Sequence, residues 1–191
     1  MSSLLKVIEN ITNWLNNDVF PDIKLKQYAD NELGYVKVSP VAFSMFMPNR
    51  EMRENSEEIP CPCALVQLND ATDYLKTHTG TVNILLHLMI WNPGTHDSET
   101  SVENVISPDM KYSRDADGWK DAVIFADCIS QKLKAAGNIN GHRILYENGI
   151  KTYPYKEENA IIDFYPRYFV DMEFSVENAS ATSPKPYQKY L

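Results

Sequence analysis

The apolar residues of this chain predict an α+β domain: one mixed, mainly antiparallel sheet, with an N-terminal helix and a second long helix packed on one face. Three observations carry this. Leu4, Ile8, Ile11 and Leu15 recur every three to four residues near the start, the spacing of one helix face. Val82, Ile84, Leu86, Leu88 and Ile90 alternate strictly with other residues, so all five project from one side of a strand. Trp119, Ala122, Val123, Ala126, Ile129 and Leu133 return to a helical stripe.

The first helix spans residues 3–17, with Val7 and Trp14 widening its apolar face and Ser2 or Ser3 as N-cap, because a hydroxyl there accepts from an otherwise unpaired backbone N–H. Asn16, Asn17, Asp18 and Pro21 end it. After a linker, residues 35–38 and 41–47 read as short strands divided at Ser39-Pro40, since proline cannot donate to a ladder. Residues 48–60 are polar and charged and read as a solvated loop.

Residues 63–68 and 81–91 form the central strand pair. Asn69 to Gly80 between them is long for a hairpin and reads as an arm at the sheet edge. The purely aliphatic face of the second strand is expected against the helices. Its other face, Asn83, Leu85, His87, Met89 and Trp91, is mixed and suits a partner. Asn92-Pro93-Gly94 stops the strand, and 95–116 reads as a second loop insertion. The long helix opens at Asp117-Gly118-Trp119, where negative charge suits the helix dipole, and closes at Gly137 as C′ residue. Residues 142–147 and 165–176 read as strands. In the last of these Tyr168, Val170, Met172, Phe174 and Val176 face inward while Asp171, Glu173 and Ser175 face water. The domain therefore covers 1–177 and a tail without core pattern covers 178–191.

The 191 residues are 43% hydrophobic and 23% charged, enough apolar material for one core and too mixed for disorder throughout. The net charge of −8 opposes binding the outside of a nucleic acid duplex, which needs clustered lysine and arginine. No run of 18 or more apolar residues suggests a membrane span, and the first residues lack a secretory pattern. The expected setting is a cytoplasm or a particle assembled in one. Cys61, Cys63 and Cys128 are expected to be ordinary thiols, because Cys61-Pro62-Cys63 lacks the two-residue spacer of zinc and thioredoxin sites.

A search for chemistry finds no motif. His78, His87, His96 and His142 are dispersed, with no His-x-x-x-His pair. His87 sits mid-strand among aliphatics, as a core or interface imidazole would. His96, Asp97, Glu99 and Glu103 do not match a calcium loop. There is no phosphate loop and no Gly-x-Gly-x-x-Gly, and no Gly-x-Ser-x-Gly elbow. Gly137 to Gly141 leaves a helix, so it directs carbonyls rather than N–H groups at a ligand. No catalytic residue, cofactor or metal is expected. Aromatics number 11 Tyr, 7 Phe and 3 Trp. Late tyrosines, beside Glu157, Glu158 and Asp163, fit a protein interface better than a nucleic-acid stacking platform. The candidate partner contacts are His87, Met89, Trp91, Tyr187 and Tyr190.

Three segments carry a resemblance. Ile59-Pro-Cys-Pro-Cys-Ala-Leu-Val66, Gly80-Thr-Val-Asn-Ile-Leu-Leu-His-Leu88 and Asp117-Gly-Trp-Lys-Asp121, in this order within residues 58–176, resemble the central strands and packing helix of the tail terminator (tail completion, or minor tail) proteins of long-tailed phages. The 95–116 loop and the tail depart from the small members of that family. The resemblance implies a non-enzymatic virion protein of the tail or neck region, assembled in the host cytoplasm. It would form a homo-oligomer, a hexameric ring, on the last ring of the tail tube. It would end polymerisation of the tube protein and present a surface to the head-tail connector protein, with DNA passing through without specific binding. Six copies at −8 each carry −48, which would repel phosphates from the lumen. Two alternatives share the composition: another head-tail connector or adaptor subunit, and a small hydrolase or ligand-binding domain built around His87 and Trp91.

Overall fold

A computed structural model of the chain describes residues 3–29, 35–46, 61–74, 79–91, 118–154 and 167–179. The loop insertions expected at 48–60 and 95–116, and the tail from residue 180, lie outside the described residues.

The first helix, α1 (Ser3–Trp14), is followed by a π-helical turn at Leu15–Val19 and a 3₁₀ turn at Phe20–Asp22. Val7, Ile8, Ile11, Trp14 and Leu15 are buried, as their spacing predicts. Strand β1 (Leu25–Tyr28) pairs antiparallel with β2 (Tyr35–Val38) in a two-stranded ribbon. The sequence reading placed β1 in a linker; four residues are too few to display an alternation, yet Ile23 and Leu25 are buried and anchor the ribbon.

The main sheet begins with β3 (Val41–Ser44), parallel to β4 (Cys63–Tyr74), which pairs antiparallel with β5 (Thr79–Trp91). β3 stops earlier than the 41–47 expected, because the chain turns at Met45 with a positive φ of 61°. The β4–β5 pairing runs on through Tyr74↔Thr79. Most of the stretch expected as an arm between strands is thus itself paired, with a bulge at Asn69 between Leu68 and Asp70 that bends and twists the strand. The second helix, α2 (Gly118–Ala136), crosses the sheet. A tight hairpin of β6 (Asn138–Ile139) and β7 (His142–Arg143) follows. Asn140 and Gly141, with φ of 48° and 96°, form the two-residue turn that this dipeptide favours. Residues 142–147 are therefore not one strand: Ile144 makes an isolated bridge to Val176, and Tyr146–Asn148 is a 3₁₀ turn. Finally β8 (Lys151–Pro154) pairs with β9 (Arg167–Ala179) at the sheet edge.

The strand order is β3-β4-β5-β9-β8, with one parallel pair among antiparallel ones. The architecture is α+β, with an N-terminal and a second helix on one face. That face is sealed. Val82, Ile84, Leu86, Leu88 and Ile90 are at most 1% exposed and meet Ile11, Leu15, Phe125, Ile129 and Leu133 in one cluster. Phe20 and Phe125 pack with ring centroids 5.3 Å apart. At about 25 cal/mol per Å² of apolar surface removed from water, each such side chain contributes about 1.5–3 kcal/mol.

The C-terminal end of α2 is closed by a side chain from further along the chain. The Tyr146 hydroxyl donates to the Leu133 carbonyl at 2.8 Å and accepts the Gly137 N–H at 3.0 Å, satisfying groups the last turn leaves unpaired. Gly137 holds a φ of +64°, the left-handed C′ position that glycine fills without strain. Asn16 acts on the sheet: its Nδ2 donates to the Ala42 carbonyl at 3.1 Å and its Oδ1 accepts the Ala42 N–H at 2.7 Å. One amide side chain thereby occupies the outer edge of β3, as a further strand otherwise would. No helix among the described residues is long and apolar enough to cross a membrane.

Candidate partner-binding face

The second face of the sheet carries no helix among the described residues, and its residues stand in rows fixed by the register. Phe43, Leu65, His87, Asp171 and Tyr153 form one row across β3, β4, β5, β9 and β8. Gln67, Leu85, Glu173 and Lys151 form the next, and Asp70, Asn83 and Ser175 the one beyond. On the other side of the His87 row lie Val41, Cys63, Met89 and Phe169. The face is therefore apolar at one end and polar at the other.

At the apolar end Cys61, Cys63 and Met89 form a buried cluster on which Phe43, Trp91 and Phe169 pack. Met89 is 3% exposed, so it supports the face from within and presents no surface. Trp91 is half-buried and Val41 is 44% exposed; these two, with Phe43, give the surface its apolar character.

At the polar end His87 is clamped. Its Nδ1 lies 2.7 Å from Asp171 Oδ1 and its Nε2 lies 2.9 Å from Gln67 Oε1. The Gln67 amide is oriented by its own Nε2, which donates to the Met45 carbonyl at 3.1 Å. Both imidazole edges thus face acceptor oxygens, and a ring so placed donates at both edges only when doubly protonated. Both ring nitrogens are thereby engaged by neighbouring side chains of the sheet. Asp171 is buried, which makes its pairing with His87 necessary. The expectation that Asp171 and Ser175 face water is corrected: both are buried within this cross-strand network.

Alongside, the Tyr153 hydroxyl donates to Glu173 Oε1 at 2.6 Å and Lys151 contacts Glu173 Oε2 at 3.4 Å. Burial, the Glu173 hydrogen bond and the neighbouring carboxylates of Glu173 and Asp171 push the Tyr153 phenol up to about 12, so it remains a donor at any physiological pH. Asn83 Nδ2 donates to Asp70 Oδ1 at 2.6 Å, and the Ser175 hydroxyl donates to Asn83 Oδ1. A shallow cleft of about 250 Å³ lies here, bordered by Asn69, Asp70, Asn83, Gly149, Lys151 and Glu173. Among the described residues no group of three or more His, Cys, Asp or Glu side chains is placed to hold a metal ion.

No family model matches this chain, and no curated protein matches it. The face must be read on its own chemistry.

Of the five candidate contacts, His87, Met89 and Trp91 do lie together on the open face, as strand alternation requires. Tyr187 and Tyr190 lie outside the described residues. Sequence reasoning missed Gln67 and Asp171, which hold the His87 ring, and placed Tyr153 only in the general cluster of late tyrosines. The available signal was their polarity inside strand patterns; what was lacking was the register that sets residues 20 and 84 positions away beside one imidazole.

Proposed function

We propose that this chain is a structural subunit of a phage-like tail. It caps the tail tube as an oligomeric ring, ends tube polymerisation and forms the joint to the head connector. The observation that carries the reading is the open sheet face, whose apolar end leaves Val41 exposed and Phe43 and Trp91 half-buried, and whose polar side chains bond to one another. Such a face offers shape and complementarity to a neighbour, and among the described residues its one imidazole is held by Asp171 and Gln67. The resemblance of residues 58–176 to tail terminator proteins names the neighbour: the last ring of tube protein. A heterologous interface closing at a fixed copy number would set the ring size, and DNA would pass without specific contacts.

Electron microscopy of tails from a strain lacking this chain tests the reading. Overlong tails are expected. Tails of normal length that fail to join heads would reject the terminator role in favour of a connector or adaptor subunit. The remaining alternative, a hydrolase or ligand-binding domain around His87, is met by an activity screen of the wild-type chain and His87→Ala. Turnover lost on that substitution would overturn the structural reading altogether.

A further inference from the structure

The chain contains two Asn-Gly dipeptides, Asn140-Gly141 and Asn148-Gly149. Asparagine is a thermolabile residue, and a following glycine exposes it further. With no Cβ on the next residue, nothing shields the side-chain carbonyl carbon from the next backbone nitrogen. Attack needs that nitrogen released and the side-chain amide able to swing onto it. The fold treats the two dipeptides differently.

Asn140-Gly141 is tied down. It is the turn of the β6–β7 hairpin, in which Ile139 pairs with His142 and is buried. The Gly141 N–H donates to Asn138 Oδ1 at 2.7 Å. The Asn140 amide donates to the Asn10 carbonyl at 3.3 Å, and the Asn140 carbonyl accepts from Asn10 Nδ2 at 3.4 Å. Nitrogen and amide are both engaged, and helix α1 holds the turn. Asn148-Gly149 is held far less. Tyr146–Asn148 is a single 3₁₀ turn, a short element with poor hydrogen-bond geometry. Residues 146–149 are all exposed, and the Asn148 side chain makes no hydrogen bond among the described residues. The Gly149 N–H bond to the Tyr146 carbonyl, at 3.0 Å, is the one that must open. Exposed turns of this kind open at the low end of the local stability range.

We infer that Asn148 is a modification site, deamidating in the folded chain, and that the fold protects Asn140. The Gly149 nitrogen gives up its proton to solvent base and bonds to Asn148 Cγ. The Cγ–Nδ2 bond breaks, and that nitrogen leaves as ammonia. Water then opens the cyclic imide. Hydrolysis at Cγ gives aspartate; hydrolysis at the main-chain carbonyl gives isoaspartate, with the backbone rerouted through Cγ. Either product adds a carboxylate, ionised at neutral pH, to a chain of net charge −8. The new charge borders the cleft that Lys151 and Glu173 also line. Isoaspartate also lengthens the backbone inside the turn that carries Tyr146, whose hydroxyl bonds the Leu133 carbonyl and the Gly137 N–H. Ageing at this position therefore loosens the C-terminal end of α2. The site is independent of what the chain assembles with.

Peptide mapping tests it. The full chain is incubated folded at neutral to mildly alkaline pH, in parallel with a sample in urea, and both are digested with trypsin. Cleavage after Lys134, Arg143 and Lys151 puts Asn140 and Asn148 on separate peptides. Mass spectrometry follows the exchange of –NH₂ for –OH in each. In the folded chain the Asn148 peptide should convert roughly tenfold faster than the Asn140 peptide, a barrier difference of about 1.4 kcal/mol. In urea, where neither turn persists, the two rates should converge. Asn138→Ala, shown by circular dichroism to fold, releases the Gly141 N–H and should speed conversion at Asn140 while leaving Asn148 unchanged. Equal rates in the folded chain, a faster Asn140, or an Asn148 that converts only in urea would overturn the inference. An Asn140 rate unmoved by the folded Asn138→Ala variant would overturn the account of its protection.

Discussion

Asp171 shows what a single polar side chain does in this sheet. Its carboxylate is buried and 2.7 Å from the His87 ring, and Gln67 holds the opposite edge. Replacing Asp171 by alanine removes the partner of the His87 Nδ1, at a cost of roughly 1–3 kcal/mol. Urea unfolding should show this loss, with Asp171→Asn recovering part of it because the amide oxygen still accepts. His142 gives a second prediction, with pH as the variable. Burial holds its pKa below the ordinary value of 6.5, opposed by a backbone hydrogen bond at Glu177 and assisted by the charge of Lys6. The folded chain thus resists protonating this ring while the unfolded chain takes the proton at about 6.5. Its contribution is present above that pH and is lost as pH falls towards the depressed folded value. Unfolding measured from pH 7.5 to 5.5 should lose stability more steeply in the wild type than in His142→Gln, whose amide does not titrate there.

Helix α2 shows where sequence periodicity succeeds and where it slips. The stripe read from sequence included Val123, yet Val123 and Ile124 are 55% and 52% exposed. Phe125, left out of that stripe, is fully buried and packs on Phe20. Ala122, Ala126, Ile129 and Leu133 hold the face as expected. At 100° per residue Val123 turns away from Ala122, whereas Phe125 stays beside it. Phe125→Ala should cost about 3–5 kcal/mol, and Val123→Ser should stay within about 0.5 kcal/mol; thermal or urea unfolding of the two decides which face is core. The same contrast explains what was legible. The long strand β5 and both helices repeat their period often enough to be read, and the helix-facing residues of β5 follow directly from it. β1, β6, β7 and β8 span two to four residues, less than a useful alternation. Their pairing is set by tertiary anchors such as Leu25 and by the Asn140-Gly141 turn. The candidate site was half legible for a related reason: alternation puts His87 and Trp91 on one face, but only register brings Asp171, Gln67 and Tyr153 to them.

On the scale of the whole molecule, the two sides of the sheet do different work. The helix side is closed by buried aliphatics, so substitutions there report on stability. The open side keeps Val41, Phe43 and Trp91 at its surface beside a rigid polar network, so substitutions there should report on association. Val41 separates the two cleanly, being 44% exposed at a sheet edge whose backbone is already held by Asn16 at Ala42. Val41→Glu should leave the unfolding midpoint within about 0.5 kcal/mol of wild type, as exposed substitutions do. It should also place an unpaired charge in the apolar part of any interface formed there, which such interfaces tolerate poorly. In the strain lacking the chain, wild type supplied in trans should restore normal tail length and Val41→Glu should not. Full restoration by a folded Val41→Glu would move the proposed tube contact off this face, leaving the exposed Val123–Ile124 surface of α2 as the next apolar surface to substitute.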